Sequence, residues 1–126
     1  MNTKSLLKAI LLISSLALSG NSFAGDATTQ AIARILVTIK HVPTAADVSA
    51  LGAIAADAAS SADEKAVAQI VAGLQHFPSA ADKAKLQAIV DNANAASNVK
   101  TLATALLGFQ HMLPADSPVA ALAAAR

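Results

Sequence analysis

Three histidines, at positions 41, 76 and 111, are the residues of this sequence best suited to chemistry, and both intervals between them are 35 residues long. Imidazole is the commonest side-chain ligand of zinc and copper, so three equivalent histidines could form a three-nitrogen metal site. Nitrogens that share one zinc ion must each lie about 2 Å from it. A metal-binding role for His41, His76 and His111 therefore depends on whether the fold brings them together.

Other kinds of reactive site are excluded or find no support. The sequence contains no cysteine, which excludes disulfides, thiolate nucleophiles and Cys-ligated metal centres. It also has no glycine-rich phosphate loop, no His-Glu-x-x-His pattern and no haem-attachment motif. The Ser and Asp residues that could serve in catalysis, Asp47, Asp82, Ser61 and Ser79, are explained as helix caps. The sequence predicts no catalytic residues, no cofactor and no enzymatic activity.

The histidine spacing reflects an internal repeat. The surrounding segments read TIKHVPTAADVSALGAI, GLQHFPSAADKAKLQAI and GFQHMLPADSPVAALAA, with one residue inserted in the third between Met112 and Pro114. The three copies span residues 28–62, 63–97 and 98–126. Because duplication of a unit duplicates its histidine, the spacing alone does not require a shared ion.

Each copy contains two amphipathic helical patterns separated by a turn. Apolar residues in the first pattern recur at i, i+3, i+4 and i+7, as in Ile32 to Ile39, and the pattern ends at a His-x-Pro or His-Met-Leu-Pro segment. Proline lacks an amide proton and disfavours helical geometry in the residue before it. The second pattern begins at a cap and is expected to bury Val48, Leu51 and Ile54 in the first copy. The predicted caps are Thr44 with Asp47, Ser79 with Asp82, Ser117 with Pro118 and, between copies, Ser61 with Glu64.

These patterns predict an all-α fold of three tandem 35-residue helical hairpins, six short amphipathic helices in all, stacked as one small helical-repeat domain. The 33 alanines favour helix and allow close approach of helix axes, as do Gly73 and Gly108, which are expected in the middle of first helices. In unit length and helix–turn–helix pattern the chain resembles tetratricopeptide-type repeats. It has no Trp or Tyr for the aromatic positions of that family. No family is assigned on this generic resemblance.

In an open stack, equivalent residues of successive hairpins lie roughly 10 Å apart, too far to share an ion. Each histidine is also expected to end a helix, where it can bond the last free carbonyls and meet the negative end of the helix dipole. A structural role is therefore the first expectation for His41, His76 and His111. Only a closed three-fold arrangement could bring them to one metal ion.

The expected function is protein association, including self-association, or small-ligand binding, with a periplasmic metal-binding protein using the three histidines as the alternative. Val42, Phe77 and Met112, which follow the histidines, are the candidate contact residues, although they could equally pack under the turns. Without residues 1–24, seven basic residues remain against eight acidic ones, and the net charge is −1. This charge argues against nucleic acid as a partner.

Residues 1–24 have the pattern of a secretory signal peptide. Lys4 and Lys8 precede an uncharged apolar stretch from Ala9 to Leu18, and Ser22-Phe23-Ala24 provides the small residues of a cleavage site. We expect Gly25 to be the first residue of an exported chain, periplasmic or extracellular, whose helical-repeat domain spans residues 25–126 without a stable membrane anchor. N-terminal sequencing of the exported protein tests this, and a membrane-anchored product that retains Lys4 would contradict it.

Overall fold

The computed structural model describes residues 27–125 and, within them, is all-helical with six helices. The predicted signal peptide lies outside the described residues. The helix α1 covers residues 27–38 of the described chain, and the others are α2 (Ala45–Ala56), α3 (Ala62–Ala72), α4 (Ala80–Asp91), α5 (Ser97–Leu107) and α6 (Pro118–Ala124). Over this part of the chain there is no β-strand, and no helix is long and apolar enough to cross a membrane. The predicted all-α class is confirmed.

The predicted caps form where the sequence placed them. The Thr44 hydroxyl accepts the Asp47 amide and the Asp47 carboxylate accepts the Thr44 amide, both at 3.1 Å, and Ser61 makes the same reciprocal pair with Glu64. Each cap satisfies amides at a helix start that have no partner within the helix. Ser79 caps α4 and Ser117 caps α6, with Pro118 as the first helical residue. Gly73 and Gly108, expected inside helices, instead lie at the ends of α3 and α5 as C-caps.

The apolar stripes of α1, α3 and α5 supply most of the core. Ala33, Ala68 and Ala103 occupy the same position of the repeat and are fully buried, so a small side chain there allows close packing of these inner helices. The outer helices α2, α4 and α6 contribute fewer residues, and Val48, expected to be buried, is exposed. The fully buried large side chains of the inner helices are Ile32, Leu36, Val67, Val71, Leu102 and Leu106.

Helix pairing is offset from the sequence repeat. Among α2 to α6, the outer helix α2 packs most extensively on α3, and α4 on α5, whereas α3 and α4, which belong to one copy, touch less. The short links 57–61 and 92–96 hold each of these pairs antiparallel, while the turns that contain the histidines lead from an inner helix to an outer one. The hairpins therefore join the second helix of one copy to the first helix of the next.

The first and last of the described helices are joined, so the described helices form a closed arrangement and not an open stack. The Arg34 guanidinium on α1 donates to the Ala123 carbonyl on α6 at 3.2 Å, which joins the first and last helices. A second link joins the turns of the first and third copies, where the His41 amide donates to the His111 carbonyl at 2.6 Å. The inner helices thus surround a pseudo-three-fold axis, and the three histidine turns meet at one end of it.

Candidate metal centre at the histidine cluster

Each histidine occupies the middle of a three-residue γ-turn. In the first turn the Val42 amide donates to the Lys40 carbonyl at 3.0 Å. The equivalent bonds, from Phe77 to Gln75 and from Met112 to Gln110, are both 2.7 Å. The φ angles of His41, His76 and His111 are 77°, 69° and 68°, and no other residue from 27 to 125 has a positive φ. Such turns are rare and strained for residues other than glycine.

The residues that follow each histidine help to fix these turns. Pro43 and Pro78 come two residues after their histidines, and proline confines the preceding residue to extended geometry. The third copy has Leu113 at the equivalent position, and Leu113 is buried, as is Pro78. The extra residue of the third copy thus falls beyond the turn, which leaves the 35-residue histidine spacing intact.

A cycle of main-chain hydrogen bonds ties the three turns together. The His41 amide donates to the His111 carbonyl at 2.6 Å, the His76 amide to the His41 carbonyl at 2.7 Å, and the His111 amide to the His76 carbonyl at 2.6 Å. Each histidine therefore gives one hydrogen bond to one neighbour and receives one from the other. This cycle satisfies all six main-chain groups of the three histidines and fixes their Cα atoms around the axis.

The three imidazole rings converge on the same axis. The Nδ1 atoms of His41 and His76 each lie 3.1 Å from Nδ1 of His111. One nitrogen from each ring lies within 4.8 Å of the other two. The ring centroids are 5.1–5.3 Å apart and the ring planes cross at 65–69°, so the rings are arranged edge to face. We call these three residues the histidine cluster.

This geometry corrects the expectation of histidines roughly 10 Å apart, which assumed an open stack. It also corrects the expectation that the rings bond the last carbonyls of the helices. The inner helices end at residues 38, 72 and 107, before the histidines, and the polar contacts shown for the rings are with one another. The arrangement is closed and three-fold, which is the condition for the three histidines to share one ion.

Hydrogen bonds between the rings cannot satisfy the cluster. Each ring nitrogen of a neutral imidazole carries either one proton or one lone pair in the ring plane, so it either donates one hydrogen bond or accepts one. Both 3.1 Å contacts use Nδ1 of His111, and that atom can complete only one of them as a linear hydrogen bond. In every neutral tautomer at least one pair of the three nitrogens is left without a shared proton. A cation placed among the nitrogens removes this conflict because it accepts all three lone pairs.

The distances suit a metal of the first transition row. Zinc–imidazole bonds are about 2.0–2.1 Å long. Two nitrogens 3.1 Å apart and bound to one ion subtend an angle of about 100° at that bond length, between the roughly 90° of octahedral and roughly 109° of tetrahedral sites. His111 can therefore share an ion with His41 and with His76 at angles that suit such a metal.

The surrounding helices favour positive charge at this end of the molecule. The helices α1, α3 and α5 all end immediately before the histidine turns, so their carboxyl ends point to the cluster. A helix carries a partial negative charge at its carboxyl end, which stabilises a nearby cation. Lys40 is the single charged residue among the nine residues of the three γ-turns apart from the histidines.

Exposed apolar side chains flank the cluster. Val42, Phe77 and Met112, each one residue after a histidine, are 47%, 58% and 54% exposed. These side chains are therefore not buried under the turns. They are three of the five large hydrophobic residues exposed between residues 27 and 125, so exposed apolar surface is concentrated at this end. We call Val42, Phe77 and Met112 the apolar collar.

The described chain also has a groove of about 550 Å³ beside α5 and the turn that leads to α6. Its lining includes Lys100, Thr104, Leu113 and Asp116, the last two of which belong to the longer turn of the third copy. Ser61 and Asp47 are candidates for a nucleophile or a base, and both are held in helix caps.

Two features of the site escaped sequence reasoning. The first is the positive φ of each histidine, which the sequence did not predict. The available signal was a histidine between a helix end and a proline in all three copies. The cycle of main-chain bonds had no signal in the sequence, because it joins residues 35 and 70 positions apart. Comparison with known protein-family models, curated proteins and solved structures finds no match for this chain.

Proposed function

We propose that this protein binds a transition-metal ion, with zinc as the first candidate, through the Nδ1 atoms of His41, His76 and His111. The observation that carries the proposal is the pair of 3.1 Å contacts sharing Nδ1 of His111, which three neutral rings cannot satisfy by hydrogen bonding. Imidazole ligands suit zinc, copper, nickel and iron, whereas calcium and magnesium prefer oxygen. The ligand set therefore selects for the first group of metals.

Calorimetric titration with zinc and copper tests the proposal. We expect one ion per chain, and we expect His111→Asn to lower the affinity at least about 100-fold because two imidazoles remain. Asn removes the imidazole and tolerates a positive φ better than most residues, so the turn is retained. Gln75→Asn, in an adjacent turn position, is the matched control and should bind as the wild type does. Unchanged affinity in His111→Asn, or no binding by the wild type, would contradict the proposal.

Association with another protein is the second candidate, and the exposed collar of Val42, Phe77 and Met112 favours it. Metal binding ranks above it because the histidine cluster specifies the chemistry of its ligand. The proposed architecture is three tandem repeats closed into a ring, which differs from the extended stacks of tetratricopeptide-type repeats. Together with the signal-peptide pattern of residues 1–24, it describes an exported metal-binding protein.

A further inference from the structure

The metal site has one open side, and that side faces solvent. The main chains of the three histidines are joined in the hydrogen-bonded cycle, so backbone closes the protein side of the cluster. All three histidine side chains are exposed, and no carboxylate joins the cluster as a fourth ligand within residues 27–125. An ion held by the three histidines would have three protein ligands, with its remaining coordination left to water.

From this geometry, and resting on the metal site proposed above, we infer that the zinc-loaded protein hydrolyses small uncharged carboxylic esters. Structural zinc sites have four protein ligands, whereas hydrolytic sites have three and a water molecule. Three neutral imidazoles leave the full charge of the ion on the site, which allows the bound water to ionise near neutral pH. The sequence predicted no enzymatic activity because no nucleophilic side chain was found, and here the nucleophile comes from water.

The collar defines the class of substrate. Val42, Phe77 and Met112 place exposed apolar surface beside the histidines in all three turns, and this surface can contact an alkyl or aryl group. Lys40 is the only fixed positive charge in these turns, and it occurs in one copy. A doubly charged phosphate ester has no arginine or lysine clamp here, whereas an uncharged ester needs only apolar contacts and the ion itself.

The reaction balances with water as the only co-reactant. Zinc-bound water loses a proton to the solvent, and the resulting hydroxide oxygen forms a bond to the ester carbonyl carbon. The carbonyl electron pair moves to the carbonyl oxygen, where the zinc charge stabilises it. When that pair returns, the bond from carbon to the alcohol oxygen breaks and the alkoxide takes a proton from the solvent. The carboxylic acid that remains loses its proton to the solvent, the carboxylate leaves, and water occupies the ion again.

Hydrolysis of 4-nitrophenyl acetate by the chain that begins at Gly25 is the test. Free imidazole also cleaves this ester, so zinc-free protein and zinc-treated His111→Asn define the background. We expect the rate to rise in proportion to bound zinc, to reach at least about 10-fold over background, and to continue over many turnovers. Gln75→Asn should match the wild type. Phe77→Ser should lower kcat/KM several-fold with zinc affinity unchanged, and an unchanged kcat/KM would overturn the role of the collar.

A second readout does not depend on turnover. In the cobalt-substituted protein, azide should displace the bound water and shift the visible absorption bands, and the same anion should inhibit hydrolysis. If zinc binds in a 1:1 ratio but the rate stays at background, or azide leaves the cobalt spectrum unchanged, the inference is wrong and the metal site stands. If the wild type binds no metal, both proposals fail.

Discussion

Replacing Leu74 by Asp is expected to unfold most of the domain. Leu74 is 3% exposed and lies between α3 and the His76 turn, and its equivalents in the other copies, Ile39 and Phe109, are buried as well. The substitution loses about 2–3 kcal/mol of apolar burial and places an unpaired carboxylate in the core, which costs several kcal/mol more. A domain of this size has a free energy of unfolding of roughly 5–15 kcal/mol.

Circular dichroism and thermal melting measure this effect. The matched control is Phe77→Asp, which introduces the same carboxylate three residues later, on a side chain that is 58% exposed, and should keep the helical spectrum and the cooperative melt. Leu74→Met, which nearly conserves volume, should cost less than about 1.5 kcal/mol and remain folded. If Leu74→Asp melts as the wild type does, Leu74 does not contribute to the core.

Replacing all three histidines by glycine should raise the stability of the zinc-free protein and abolish the stabilisation that zinc gives to the wild type. Without metal, we expect the triple variant to be more stable than the wild type by about 1 kcal/mol per turn, because glycine adopts a positive φ without strain. That gain corresponds to a Tm roughly 10–20 °C higher. With zinc at 100 times its Kd, the wild type gains about 2.7 kcal/mol and the variant gains nothing.

Differential scanning calorimetry at several zinc concentrations tests both parts. The triple His→Asn variant is the control, since it also loses the imidazoles but keeps a side chain in each turn. Its Tm should lie below that of the glycine variant and should not respond to zinc. A glycine variant less stable than the zinc-free wild type would show that ring contacts outweigh backbone strain in the turns. A zinc-dependent Tm in either variant would place the metal elsewhere.

Much of the secondary structure could be predicted because its causes are local. Thr44 and Asp47 lie three residues apart, so one capping box forms wherever that helix starts. The stripe from Ile32 to Ile39 needs only a 3.6-residue period to show which face is buried. The prediction that Val48 is buried was wrong. Burial of a residue on an outer helix depends on the neighbour that this helix packs against, and for α2 that neighbour belongs to the next copy.

The sequence by itself determined the helices, their caps, the 35-residue repeat and the identity of the three histidines. Only the tertiary structure decided that the repeat closes and that the rings meet. Closure depends on small angles between successive helices, added over three copies, and on contacts such as Arg34 with Ala123, which are 89 residues apart. The approach of His41 to His111 has the same origin, since a local pattern can place each histidine in a turn but cannot bring residues 70 positions apart within 3.1 Å of one another.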